Sequence, residues 1–179
     1  VPHMISRLPV VHHSEVNREK TLPEAFQEAG FESAWLTNKS RANYLERVLE
    51  SMDRRFETGK DMSVTNNYDE HLLMPLQNVL SSGAHQQFIV VHTMGSHWKY
   101  DTRYPASFEQ FTPSLGQSFR LSMIQPSNKQ KLVNAYDNTV LYTDYFLDSL
   151  LTIVDAQDIP AVVIYMSDHG ENLYDDDRE

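Results

Sequence analysis

Ser167, Asp168, His169, Gly170 and Glu171 put a carboxylate, an imidazole and a second carboxylate into five consecutive positions. Asp and neutral His are both zinc ligands, and a glycine between such groups lets the backbone turn tightly enough for neighbouring side chains to converge on one ion. The same pair also serves as a hydrogen-bonded closure of a strand end, so its surroundings decide between the two uses. Directly before the cluster, Ile159 to Met166 is a β-branched and apolar run. Its length and composition predict a strand buried on both faces. Beyond the carboxyl end of a parallel strand, Asp168 and His169 would occupy the place where open α/β sheets hold their ligands.

The pattern occurs twice more. Gln87 to Thr93 is apolar and runs into Met94, Gly95, Ser96 and His97, while Phe31 to Thr37 runs into Asn38, Lys39 and Ser40. Strands that each close on a polar cluster, with helical stretches between them, predict a mostly parallel sheet with helices on both faces. On that arrangement Asp168, His169 and His97 share one cavity at the carboxyl ends of neighbouring strands. Taken alone, His97 is a solvated turn residue, Arg103 a surface ion-pairing residue, and Asn38 either a helix cap or a substrate contact.

The helices carry their own signals. Thr21 and Glu24 form a capping box ahead of Leu22, Ala25, Phe26 and Ala29, and Gly30 supplies a stop. A second helix is predicted from about Arg41 to Met52, followed by an irregular surface excursion from Arg54 to Asn67. Tyr68 to Leu80 reads as helical, with a kink or break at Pro75 and an end at Gly83. Asp101 to Pro126 is a long loop, of the length that tends to be functional or disordered. Ser127 with Gln130 predicts a capping box opening the longest helix. Val133, Tyr136, Val140, Thr143, Leu147, Leu150 and Val154 are its expected buried stripe, and Asp137 and Asn138 are available to tie down loops. His12 and His13 read as surface loop residues, and Asp175 to Asp177 as a solvated acidic tail.

With 179 residues, 40% of them apolar and nine Tyr and eight Phe among them, the chain has the material for one buried core. A formal charge of −10 disfavours nucleic acid or an anionic membrane surface as a partner held by bulk electrostatics, while leaving room for a local basic pocket. No run approaches the roughly 20 apolar residues that span a bilayer, so a soluble domain is expected. The absence of Cys removes disulfides and thiolate metal sites together.

HTMGSH (His92 to His97), RYP (Arg103 to Pro105), NAYDN (Asn134 to Asn138), YTD (Tyr142 to Asp144) and SDHGE (Ser167 to Glu171) occur here in this order. Together they resemble the catalytic domain of the phosphoethanolamine transferases, membrane-anchored members of the alkaline phosphatase and sulfatase superfamily. TLPEAFQEAGFESAWLTN (Thr21 to Asn38) resembles the helix and strand that precede that family's substrate loop. The resemblance implies a three-layer α/β/α sandwich of alkaline phosphatase type with a mostly parallel sheet. It also implies a Zn2+ site and a Thr nucleophile that takes phosphoethanolamine from phosphatidylethanolamine and passes it to a lipopolysaccharide sugar, in the core or in lipid A.

Residue by residue, the resemblance makes Asp168 and His169 metal ligands. His97, Arg103, Asn38 and Glu171 become substrate-site residues. Lys39 to Asn43 departs from the family's usual sequence, and Trp98 to Thr102 (WKYDT) replaces a GP-containing stretch, a difference that leans towards the branch modifying core sugars. VPHMIS (Val1 to Ser6) resembles the segment just after the nucleophile. The expectation is therefore one sulfatase-like catalytic domain, incomplete at both ends, with the nucleophilic Thr upstream of Val1 and the membrane anchor outside this chain. The full-length protein would sit in the inner membrane with this domain in the periplasm. A sulfatase or phosphoglycerol transferase of the same superfamily, and a non-catalytic binding domain on the same fold, are the alternatives.

Overall fold

The computed structural model describes residue 4 and residues 19–39, 46–58, 67–116 and 125–174. His12, His13, the start of the second predicted helix and the acidic tail lie outside the described residues. Helix α1, Leu22–Glu28, begins at the expected capping box: Glu24 N donates to Thr21 Oγ1 at 3.4 Å and Thr21 N donates to Glu24 Oε2 at 2.6 Å. Gly30 follows with φ of +90°, a conformation that costs an L side chain strain.

Strand β1, Glu32–Thr37, is the centre of a parallel three-stranded sheet of order β2-β1-β3, with β2 spanning Arg54–Glu57 and β3 Gln87–His92. Ala34 stands opposite Arg54 on one side and Ile89 on the other. Period-2 alternation then sorts the side chains between two cores. Ala34 and Leu36, with Ile89 and Val91, pack beneath α3 (Leu73–Leu80) and α4 (Lys129–Asp155). Trp35 and Val90 face the other way, against Val48, Leu49 and Met52 of and just after α2 (Glu46–Ser51). Phe26 of α1 stacks on Phe88 on that same face, with ring centroids 4.3 Å apart. Helices thus cover both faces, and the three-layer α/β/α expectation holds.

Several local readings change. The irregular excursion after Met52 begins with β2, a four-residue edge strand in which Arg54 pairs with Glu32 and Arg55 and Glu57 face solvent, a charged edge that resists further pairing. The break expected at Pro75 lies just upstream, where a 3-10 turn, Asp69–Leu72, passes into α3. Pro75 therefore falls in the first turn, where its missing N–H is not needed. The Ser127 and Gln130 capping box does not form. Ser127 is inside a 3-10 turn, Pro126–Asn128, and Gln130 Nε2 donates to Asn134 Oδ1 instead.

The buried stripe of α4 is rotated from the expected one. It runs through Leu132, Ala135, Thr139, Tyr142, Phe146 and Leu150, with Asn134 and Asn138 beside it, while Val140 is 48% exposed. Hydrogen bonding decides this rotation. Asn138 Oδ1 accepts from Gln110 N and Phe111 N at 2.9 and 2.8 Å, and its Nδ2 donates to Phe111 O at 3.0 Å. Asn134 Nδ2 donates to Pro113 O at 2.9 Å. The long loop is thereby laid along the helix, and two polar side chains are buried in place of Val140.

The largest correction concerns Ile159 to Met166. It is not a strand: among the described residues it pairs with no strand, and Val162 and Ile164 are 88% and 78% exposed. Apolar composition makes a segment fit a pleated, covered surface, but a strand forms only where a neighbour accepts and donates its backbone hydrogen bonds. Here β3 ladders with β1, and no described strand pairs with β3 on its other side. The chain is recaptured further on, where Leu173 buries among Tyr100, Leu115, Leu132 and Ala135 and Lys129 Nζ donates to Tyr174 O at 2.6 Å.

Two substitutions test this arrangement. Leu36→Ala, at a fully buried position under α3 and α4, should cost about 2–5 kcal/mol. Val140→Ala should stay within about 0.5 kcal/mol. Urea denaturation of both variants would measure the contrast, and comparable losses would refute the assigned face of α4.

Candidate functional site

Strands β1 and β3 end together. Thr37 Oγ1 and His92 Nδ1 are 3.1 Å apart, and Asn38 N donates to His92 O at 3.2 Å. From these ends two loops leave, one carrying Asn38 and Lys39 and the other Met94 to His97. The second loop turns at Gly95, where φ is +54°, and His97 N closes the turn on Met94 O at 3.4 Å. Helix α4 holds it from one side through a 2.6 Å hydrogen bond between the Thr139 and Ser96 hydroxyls.

Arg103 is anchored to this loop. Its Nε donates to His97 O at 3.2 Å and its Nη2 to Trp98 O at 3.0 Å, so the guanidinium is tied to the backbone that carries the His97 ring. Burial pulls the Arg103 guanidinium below its usual value, against the pull of Asp69. Burial likewise lowers His97, with the positive charges of Arg103 and Lys39 adding to the effect and Glu171 opposing it. Lys39 is lowered by burial too, while Asp168 and Asp69 raise it.

Asn38 is 1% exposed and its amide is fully used. Nδ2 donates to Asn67 O at 2.6 Å and to Asp69 Oδ1 at 3.0 Å, and Oδ1 accepts from Thr58 Oγ1 at 3.2 Å. Asn38 therefore fixes the geometry of its loop. Glu171 lies against Tyr100 and Tyr136, whose hydroxyls are raised first by burial and then by the Glu171 charge.

Asp168 and His169 follow the unpaired segment, not a strand, yet they come to the same end of the sheet: the Asp168 charge acts on both Lys39 and His92. His169 Nε2 is 3.8 Å from Asp168 Oδ1. The other ring nitrogen, Nδ1, is 2.9 Å from the Gly170 carbonyl, to which only a protonated nitrogen can donate. Nε2 is then the free donor atom in the neutral ring. That hydrogen bond, and next the Asp168 carboxylate, raise the imidazole's pKa.

The pair fits zinc in donor type. Two ligands each about 2.1 Å from a tetrahedral ion stand roughly 3.4 Å apart, so a small side-chain rotation would bring these two atoms to ligand spacing. Among the described residues, no group of three or more His, Cys, Asp or Glu is arranged to hold a metal. Sequence reasoning passed over Asp69, Lys39 and His92. Asp69 opens a 3-10 turn, a place where an acidic residue is ordinarily solvated. Lys39 sits in a stretch read as a departure from pattern. His92 was taken as part of an apolar strand.

The fold is that of a sulfatase-type domain. The sulfatase family profile matches residues 1–179, and the chain belongs to that family. It is similar to phosphoethanolamine transferase EptA of Salmonella typhimurium, 32% identical over 179 residues that make up 97% of this chain and 32% of that protein. Phosphoethanolamine transferase EptC of Escherichia coli is 30% identical over 162 residues, 88% of this chain and 28% of that protein. The chain thus spans about a third, or less, of the curated relatives it matches.

Among solved structures, it resembles the soluble domain of lipooligosaccharide phosphoethanolamine transferase A from Neisseria meningitidis. That likeness has a TM-score of 0.71 at 28% identity, covering 84% of this chain and 45% of the other. The C-terminal periplasmic domain of EcEptC from Escherichia coli, solved in complex with Zn, matches with a TM-score of 0.65 at 28% identity, covering 77% of this chain and 39% of the other.

His92 generates a pH prediction. Burial, then Lys39, hold its imidazole down at about 4 against an ordinary 6.5. Above pH 6.5 the folded and unfolded rings are both neutral, and His92 does not penalise folding. As pH falls from 6.5 towards 4 the unfolded ring gains a proton that the folded ring does not, so stability is lost across that window. The loss is on the order of 3 kcal/mol at most. Comparing denaturation at pH 7 and 4.5 for the wild type and His92→Gln cancels the carboxylates common to both. The variant should lose less stability, and equal losses would refute the assignment.

Proposed function

We propose that this chain is the central part of the catalytic domain of a phosphoethanolamine transferase. The enzyme would move phosphoethanolamine from phosphatidylethanolamine to a sugar of lipopolysaccharide. The observation that carries this reading is the meeting of three loops at one end of the parallel sheet. His97, coupled to Arg103 through its own carbonyl, faces the Glu171 charge there, and Lys39 faces the charges of Asp168 and Asp69. Similarity to EptA along 97% of the chain supports the choice among sulfatase-family chemistries.

In this reading Asp168 and His169 Nε2 would hold Zn2+, which when bound would lower the pKa of a coordinated hydroxyl and offset charge on a phosphoryl group. The nucleophilic Thr and the remaining ligands belong to other parts of a longer protein, the Thr upstream of Val1. Arg103 offers fixed positive charge and a planar set of donors to the phosphoryl oxygens. His97, its pKa held down by burial, stays neutral near pH 7 and gives a hydrogen bond without adding charge. The Glu171 carboxylate suits the ammonium of the ethanolamine headgroup, and Asn38 shapes the loop that closes the donor site. The full-length protein is membrane-anchored, in the inner membrane, with this domain in the periplasm.

Asp168→Ala in the full-length protein should abolish transfer and leave the circular dichroism spectrum unchanged, because Asp168 lies outside the packed core. Transfer is followed by mass spectrometry of lipopolysaccharide from cells expressing each form. Chelation of the purified wild-type enzyme should remove activity, and Zn2+ should restore it. Wild-type transfer by a well-folded Asp168→Ala enzyme would overturn the metal assignment.

A further inference from the structure

Asp69 is 6% exposed and lies between the two loops that leave β1 and β3. Its Oδ1 accepts from Asn38 Nδ2 at 3.0 Å and from Met94 N at 2.8 Å, and its Oδ2 accepts from Gly95 N at 2.9 Å. One buried carboxylate therefore takes donors from both loops, and two of them are consecutive backbone amides at the turn that sets His97 in place. His97 in turn carries Arg103 through its carbonyl. A carboxylate satisfied by amide donors in a water-poor site is a stiff link, since loss of any one bond leaves a buried polar group without a partner.

A second aspartate clamp, this one exposed to solvent, sits at the opposite end of β1. Asp53 Oδ2 accepts from Ser33 N at 2.8 Å, from Ser33 Oγ at 2.7 Å and from Gln27 Nε2 at 3.3 Å. It ties α1 to the amino end of the strand, away from Asp168, His97 and Arg103. The molecule thus contains its own comparison: two aspartates that each accept three hydrogen bonds, one buried beneath the candidate site and one exposed and remote from it.

The geometry points to Asp69 as the positioning residue of the site: by clamping Asn38, Met94 and Gly95 it holds His97 and Arg103 in register with Asp168 and His169. It touches neither substrate nor metal and acts through the loop it fixes. The inference rests on the transferase reading above.

The test compares Asp69→Asn, Asp69→Glu and Asp53→Asn in the full-length enzyme, with kcat and KM normalised to folded protein. Asp69→Asn should lower kcat/KM by about 10- to 100-fold, the range found when a supporting hydrogen bond is lost from a metal or catalytic site. Asp69→Glu keeps the charge but displaces the oxygens, so it should not rescue. Asp53→Asn should lose stability with kcat/KM per folded molecule unchanged. Near-wild-type kinetics in Asp69→Asn, rescue by Asp69→Glu, or equal falls in Asp69→Asn and Asp53→Asn would each overturn the positioning role.

Hydrogen exchange of the wild-type protein gives a reading that does not depend on any variant folding. The Met94 and Gly95 amides should be protected as ladder amides are, and exchange at free-loop rates would also overturn the clamp. Absence of transfer by the wild-type full-length enzyme would strike the transferase reading, leaving the exchange result to stand or fall by itself.

Discussion

Burial of β1 on both faces is the constraint from which the rest follows. Ala34 and Leu36 point into one core and Trp35 into the other, so no side chain in the middle of the strand is free for polar chemistry. Charge and hydrogen-bonding groups can collect only where the strand stops. Parallel pairing with β3 brings both carboxyl ends to the same place, at Thr37 and His92. Side chains separated by more than fifty positions in the chain meet there because parallel pairing sets the carboxyl ends of β1 and β3 side by side.

Rigidity is then added by side chains that accept or donate more than one bond. Asn138 supports the long loop from the middle of α4, and Thr139, one residue on, supports the loop bearing His97. One turn of a helix thereby sets the positions of two loops at once. Packing of Phe108 against Tyr142 and Tyr145, with centroids 5.0 Å away in each case, extends the same attachment towards the 3-10 turn that begins with Asp69. The loop and helix are consequently one mechanical body with the sheet.

Much of this was legible in the sequence, for identifiable reasons. The Thr21 and Glu24 capping box depends on residues three apart, so local reasoning finds it. The strands at Glu32–Thr37, buried, and Gln87–His92, half-buried, are apolar runs flanked by turns, and composition alone reveals them. Asn138 was read as a tie for loops, and it is one. What failed depended on partners distant in sequence. Ile159 to Met166 has the composition of a strand but no strand beside it among the described residues. The face of α4 turned because Asn134 and Asn138 found loop carbonyls and amides that no periodicity can indicate. Asp69 has no motif, since its partners are backbone amides.

The bare apolar run from Ile159 to Met166 bears on self-association. A stretch of eight residues with four β-branched side chains, paired with no strand among the described residues, is the kind of sequence that templates sheet growth between molecules. Its flanks oppose that. Asp158 stands just before it and Asp168 just after, with Pro160 near its start. Stacked in parallel register, two copies would set Asp158 on Asp158 and Asp168 on Asp168; stacked antiparallel about Val163, each Asp158 would meet an Asp168. Either alignment brings carboxylates face to face, and the proline withholds one backbone donor, so the acidic residues flanking the run oppose its aggregation.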